Sequence, residues 1–112
     1  MLDEQENNEE LRQSMQIIIE AGDARKSIMQ ALDLIGDGDY EASRKNLSTA
    51  KQKLVTAHAL QTQRIQKEAA GDQVSYSVLF THAQDTLMSV NSEYNLTKHL
   101  IEIFQRKESK KN

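Results

Sequence analysis

Val78-Leu79-Phe80-Thr81-His82-Ala83-Gln84-Asp85-Thr86-Leu87-Met88 lies inside a segment unlike the rest of this chain. From Gln73 to Ser92, twenty residues, Asp85 is the only formally charged side chain, where the chain average of 28% would place five or six. The segment is nevertheless too rich in Ser, Thr, Gln and Asn to span a bilayer, which asks for about twenty mostly apolar residues. A charge-depleted but polar segment is one that other protein covers. His82 and Asp85, three apart, fall on one face of a helix.

The helix that holds this stretch is expected from about Val78 to Arg106. With His82 set at 0° and steps of about 100° per residue, Asp85 falls near 300°, Thr86 near 40° and Ser89 near 340°. Val78, Leu96, Leu100, Ile103 and Phe104 fall on the same side, so the polar group interrupts an apolar stripe that should be buried. Ser77 suits the N-cap of this helix, after a short extended connector in which Val74 and Tyr76 alternate with Ser75 and Ser77.

Upstream, Gly71-Asp72 ends a second helix expected from Tyr40 to about Ala70, some 45 Å long at about 1.5 Å per residue. Its stripe is Leu47, Ala50, Leu54, Ala57, Gln61 and Ile65. The cluster Gly36-Asp37-Gly38-Asp39 is the clearest break in the chain. Gly36 suits a left-handed position after a helix, and Asp39 an N-cap with Glu41 in the first turn. A first helix is expected from about Asn8 to Leu34, with Ile17, Ala21, Ala24, Ile28, Ala31 and Ile35 alternating steps of four and three. Gly22, inside it, costs about 1 kcal/mol relative to Ala and is expected to permit close packing, with space beside a functional site as the alternative reading. Three long helices with short connections predict an all-α, up-down-up antiparallel three-helix bundle. A domain over 10–106 is expected between flexible segments at 1–9 and 107–112.

Composition agrees. The 112 residues, fit for one domain, contain no Pro, four Gly and 4% aromatics. The absence of Cys excludes disulfides and thiol chemistry and fits a reducing, cytoplasmic setting. The acidic start offers no secretory signal, and a net charge of −3 offers no basic stripe for nucleic acid. There is no Gly-rich phosphate loop and no His-Glu-x-x-His zinc pattern. An apolar content of 38% implies a thin core, which would gain from burial against further copies of the chain.

The quoted stretch resembles the active-site helix of the lactose/cellobiose-specific IIA component of the bacterial phosphoenolpyruvate-dependent sugar phosphotransferase system. Ala21-Gly22-Asp23-Ala24-Arg25 is similar to that family's first-helix signature. Gly38-Asp39-Tyr40-Glu41-Ala42 resembles the start of its second helix, and Ala57-His58-Ala59-Leu60-Gln61-Thr62 a later part of it. The landmarks keep the family's order and spacing from about Met15 to Phe104. The resemblance implies that His82 accepts a phosphoryl group from the phosphocarrier protein HPr and passes it to the IIB component beside the membrane component IIC, driving uptake of a β-linked disaccharide such as lactose or cellobiose. It also implies a homotrimer in which three copies of Asp85 hold a divalent cation, magnesium-like, at the three-fold axis. In the family pattern a second histidine follows the aspartate; here that position is Thr86.

Histidine suits such a relay. An imidazole titrates near pH 6.5 (an approximate solution value), so a neutral nucleophilic nitrogen is available at neutral pH. A phosphoramidate is labile, as a group that must leave again requires. In-line transfer asks the protein for orientation and charge stabilisation, so His82 must be reachable from the surface. Candidate donors to the phosphoryl oxygens are Gln84, on the adjacent face, and Gln61 on the second helix. His58, three before Gln61, is either a neighbour of the phosphate or a packed residue bonded to a carbonyl. Asp85 on a buried stripe would cost several kcal/mol if isolated; a cation, shared protonation or a water cluster would each relieve it. A zinc site from His58, His82 and Asp85 has poor spacing and no cysteine. Arg25 is expected to pair with an acidic neighbour and His99 to be a partly exposed helix residue. The rival reading is a structural or adaptor oligomer in which His82 and Asp85 merely fix register on an apolar seam. A metal-storage or metal-sensing bundle is a weaker third reading.

Overall fold

Three runs of small and apolar residues, each stepping alternately by three and four, generate the architecture. The computed structural model describes residues 4–74 and 76–111 as α1 (Glu4–Gly36), α2 (Tyr40–Ala69) and α3 (Val78–Lys111). Buried on α1 are Ser14, Ile17, Ala21, Ala24, Ile28, Ala31 and Ile35; on α2, Ser43, Leu47, Ala50, Leu54, Ala57, Gln61 and Arg64. On α3 they are Phe80, Ala83, Leu87, Val90, Thr97 and Ile101, with half-buried Tyr94 completing the row. A repeat of about 3.5 residues on a helix of about 3.6 per turn keeps one stripe facing its neighbours over many turns. The helices therefore lie side by side, up-down-up, in a body of 66 × 21 × 18 Å. Ala21, Ala24, Ala31, Ala50, Ala57 and Ala83 are all at 0% exposure, which brings backbones close but supplies little apolar area per residue.

Both connectors are closed by hydrogen bonds that the turn residues make possible. After α1, the Gly38 amide donates to Ile35 O at 3.0 Å and the Asp39 amide to Leu34 O at 3.0 Å. After α2, the Gly71 amide donates to Glu68 O at 3.0 Å and the Asp72 amide to Lys67 O at 3.2 Å. These paired bonds need a left-handed residue, met by Gly38 at φ 75° and Gly71 at φ 90°. The N-caps stand where expected. The Asp39 carboxylate accepts from the Ala42 amide at 3.1 Å, and the Ser77 hydroxyl accepts from the Phe80 amide at 3.1 Å.

Several expectations are corrected. The left-handed residue is Gly38, while Gly36 ends α1, because the chain holds helical geometry two residues longer than expected. The helices also run past the expected limits, α1 from Glu4 and α3 to Lys111; residues 1–3 and Asn112, within the segments expected to be flexible, lie outside the described residues. On α2, Ile65 is 46% exposed and Arg64, one residue earlier, is 4% exposed. Its guanidinium carbon sits 4.2 Å from the centre of the Phe80 ring, and its nitrogens reach Ser14 Oγ at 3.3 Å and Glu10 Oε2 at 3.8 Å. A stacked, ion-paired guanidinium can occupy a core position that an isolated charge could not. A Cβ built on Gly22 meets nothing within 4 Å, so close packing inside the chain is not what keeps glycine there. The largest correction concerns α3. The stripe with Val78, Leu96 and Ile103 faces outward, at 71%, 65% and 40% exposure, and only Leu100 on it is half-buried.

Candidate functional site

α3 places His82 one turn beyond its capped N-terminus. Phe80 and Ala83, on either side in sequence, point into the core and fix the rotation of the helix, which turns His82 outward. His82, Asp85 and Ser89 are all exposed, and Thr86 beside them is half-buried. The imidazole is open to an approaching protein, as a transfer residue requires. The Thr86 hydroxyl donates to the His82 carbonyl at 2.9 Å, so it is committed to its own helix rather than to the ring. The outward face that carries His82 is thus polar in its first half and apolar beyond Leu96.

The surrounding charge is arranged at a distance. Arg25 Nε and Nη2 of α1 donate to Glu93 Oε1 and Oε2 at 2.9 and 3.0 Å, the acidic partner expected for it. Glu93 lies about 20° round α3 from His82 and roughly 16 Å further along, so this fork ties α1 to α3 on the same side of the bundle. The hydrogen bond from Arg25 to Glu93 raises the guanidinium pKa above its ordinary value, with the nearby carboxylate charge adding to it; desolvation opposes both. Within the segment that holds His82, only Asp85 carries charge.

The remaining candidates are distributed around the bundle. Gln84 falls about 200° round from His82 and lines a cavity of about 290 Å³ with Arg64, Phe80 and Thr81, facing α2 rather than the adjacent face expected for it. Gln61 is 8% exposed on the inward face of α2, and His58, one turn earlier, is half-buried. Among the described residues, no hydrogen bond or ion pair joins His82 to His58, Gln61 or Gln84. His99 is exposed on α3. The described residues hold no group of three His, Asp or Glu side chains that could bind a metal ion, and none of their helices is long and apolar enough to cross a membrane. The sequence reading did not single out Arg64 or Glu93. The four-three alternation of α2 was the signal for Arg64; nothing local marked Glu93.

Comparison with known proteins gives a consistent result. A family model described as the lactose/cellobiose-specific IIA subunit of the phosphotransferase system matches residues 12–105. The lichenan-specific phosphotransferase enzyme IIA component of Bacillus subtilis is 38% identical over 100 residues, covering 88% of this chain and 91% of that protein. The lactose-specific EIIA component of Streptococcus mutans is 38% identical over 91 residues, covering 81% and 88%. Among solved structures, the cellobiose-specific enzyme IIA of Bacillus anthracis superposes with a TM-score of 0.85 at 31% identity, over 98% of this chain and 96% of that one. The chitobiose IIA protein solved in complex with HPr superposes at 0.78 with 27% identity, over 88% and 96%.

Proposed function

This chain belongs to the lactose/cellobiose-specific IIA family of the sugar phosphotransferase system, and we propose that it carries the phosphoryl group on His82. The observation that supports this most directly is an exposed imidazole, one turn into α3, on a face that the chain's own bundle leaves free. A nitrogen of His82 attacks the phosphorus of phospho-HPr in line; the new N–P bond forms as the bond to the donor breaks. Transfer to the IIB component reverses those roles, so the group moves between proteins without loss to water. The solved HPr complex of a chitobiose IIA protein supports HPr as the donor. The receiving IIB component works beside its membrane partner IIC, and the relay operates in the cytoplasm. The cargo taken up is a β-linked disaccharide such as lactose or cellobiose, which this chain never touches.

The outward face of α3 is also the surface on which three copies would join. Val78, Leu96, Ile103 and Phe104 are exposed at 40% or more, and a helix apolar on two sides is one that further protein covers. Such a homotrimer would bring three Asp85 carboxylates together. Asp85 fits a divalent cation: it is a hard oxygen donor, it makes no ion pair within the described chain, and one chain alone supplies no set of ligands. Magnesium bound there would offset two of the three negative charges and hold the assembly together; it takes no part in the transfer at His82.

The test is phosphorylation of the purified chain with phosphoenolpyruvate, enzyme I and HPr, followed by intact-mass measurement. One acid-labile phosphoryl group per chain is expected, absent from His82→Ala. A wild-type chain that stays unlabelled would return the adaptor reading to the front, and a label that survives His82→Ala would move the site elsewhere.

A further inference from the structure

Glu10 and Arg64 are the only charged side chains buried among the described residues, at 7% and 4% exposure. As a source of stability their contact is loosely made. The charged atoms stand 3.8 Å apart, and Glu10 Oε1, also buried, has no hydrogen-bond partner among the described residues. Apolar side chains of similar volume in place of such a pair often leave a fold as stable or more so. What they would not supply is direction. The Arg64 guanidinium lies 4.2 Å from the centre of the Phe80 ring on α3, while its Nη1 donates to Ser14 Oγ on α1 at 3.3 Å. A planar cation held on both sides fixes the ring, and with it the first turns of α3, against rotation.

His82 stands two residues beyond Phe80. No hydrogen bond or ion pair holds its imidazole among the described residues, so the ring is aimed by the rotation of the helix that carries it. Hydrogen bonds from side chains of α1 and α2 reach α3 at Glu93, Gln105 and Glu108, all well beyond His82. The described connector residues ahead of α3 form neither helix nor strand. With side chains a helix is about 5–6 Å in radius, so a turn of about 10° about its axis carries the imidazole roughly 1 Å. A misplacement of about 1 Å can cost about 100-fold in a transfer that must run in line. Resting on the relay reading above, we infer that Arg64 is a positioning residue: stacked on Phe80 and anchored to α1, it sets the rotation of α3 at which His82 meets the phosphorus of phospho-HPr.

Single-turnover transfer from phospho-HPr would be followed by rapid quench over a range of phospho-HPr concentrations, with urea unfolding in parallel. The chains compared are wild type, Arg64→Lys, the double variant Glu10→Leu with Arg64→Met, and Ile28→Ala. The double variant replaces the whole pair by apolar side chains, so its urea midpoint should match or exceed that of wild type. Its maximal rate should nevertheless fall by about 10-fold or more, while the phospho-HPr concentration at half-maximal rate changes by less than about 2-fold, because the exposed surface is untouched. Arg64→Lys keeps a cation over the ring and should recover most of that rate. Ile28 is the control: it is buried on α1, three residues beyond Arg25, which sits opposite Glu93 rather than His82. Ile28→Ala should lower the urea midpoint and transfer at the wild-type rate. A wild-type maximal rate in the double variant, or an equal slowing in Ile28→Ala, overturns the positioning role and leaves the relay standing. A wild type that takes no phosphoryl group overturns the relay reading and this inference with it.

Discussion

Along α3, Phe80, Ala83, Leu87, Val90 and Ile101 are at most 8% exposed, whereas Val78, Met88, Leu96 and Ile103 on the other side are 40% to 71% exposed. Both rows use large apolar residues at helical spacing. They differ in what interrupts them. The inward row contains only Thr97 among its fully packed positions, while the outward row holds His82, Asp85, Ser89 and Ser92 in succession. The inward row therefore fixes the chain's own fold; on the proposed reading, the outward row joins chemistry to association. An uninterrupted outward row would join copies more tightly, but it would leave no imidazole for a visiting protein to reach.

The sharpest way to break this division is to damage one row and watch the other. Leu87, at 0% exposure, sits at the centre of the inward row. Leu87→Ala should lower the unfolding free energy by about 2–5 kcal/mol, measured by urea denaturation, because the cavity cannot close among packed helices. A loss below about 1 kcal/mol would mean that the core is looser than the packing implies.

Leu96→Asp should act on the outward row alone. Leu96 is 65% exposed, so the helical circular dichroism should hold, and a surface change of this kind alters the stability of a single chain by about 0.5 kcal/mol or less. The mass in light scattering should fall from three chains to one, since three carboxylates would face each other where three leucines should pack. A mass that stays at three chains would place the contact between copies on another face.

The caps and turns were open to sequence reading because their chemistry is local. Asp39 and Ser77 are short polar residues placed just ahead of helical runs, and each accepts from an amide three residues on. Which face of α3 turns inward was not open to the same reading. An angular projection centred on His82 collects Leu96, Leu100 and Ile103 and makes them look like core, because two apolar rows on one helix are equivalent until the other helices are placed. The α2 error has a different source. Stepping four from Ala57 to Gln61 and four again to Ile65 breaks the alternation; a step of three reaches Arg64, which hydrophobicity alone would reject. The guanidinium is accommodated by Phe80, Ser14 and Glu10, partners from the two other helices that no local pattern reveals. His82 was legible as a candidate site through its motif and its charge-poor setting. The directions of Gln84 and Gln61 were not, since helix packing sets them and turns neither toward His82.

The smallest expected effect falls on α1 and probes the outward surface from its other side. Gly22 follows Met15 and Ile19 and precedes Met29 along a row whose apolar members are 44% to 50% exposed. Glycine inside a helix costs about 1 kcal/mol relative to alanine, and a methyl group here would meet nothing within 4 Å of the same chain. Gly22→Ala should therefore stabilise the chain by about 1 kcal/mol in thermal or urea unfolding and leave its mass unchanged. If the stabilisation appears while the assembly weakens, a second copy must bring backbone against α1 at this point. The close approach first expected within the chain would then lie between chains, and the outward surface would extend from α3 across to α1.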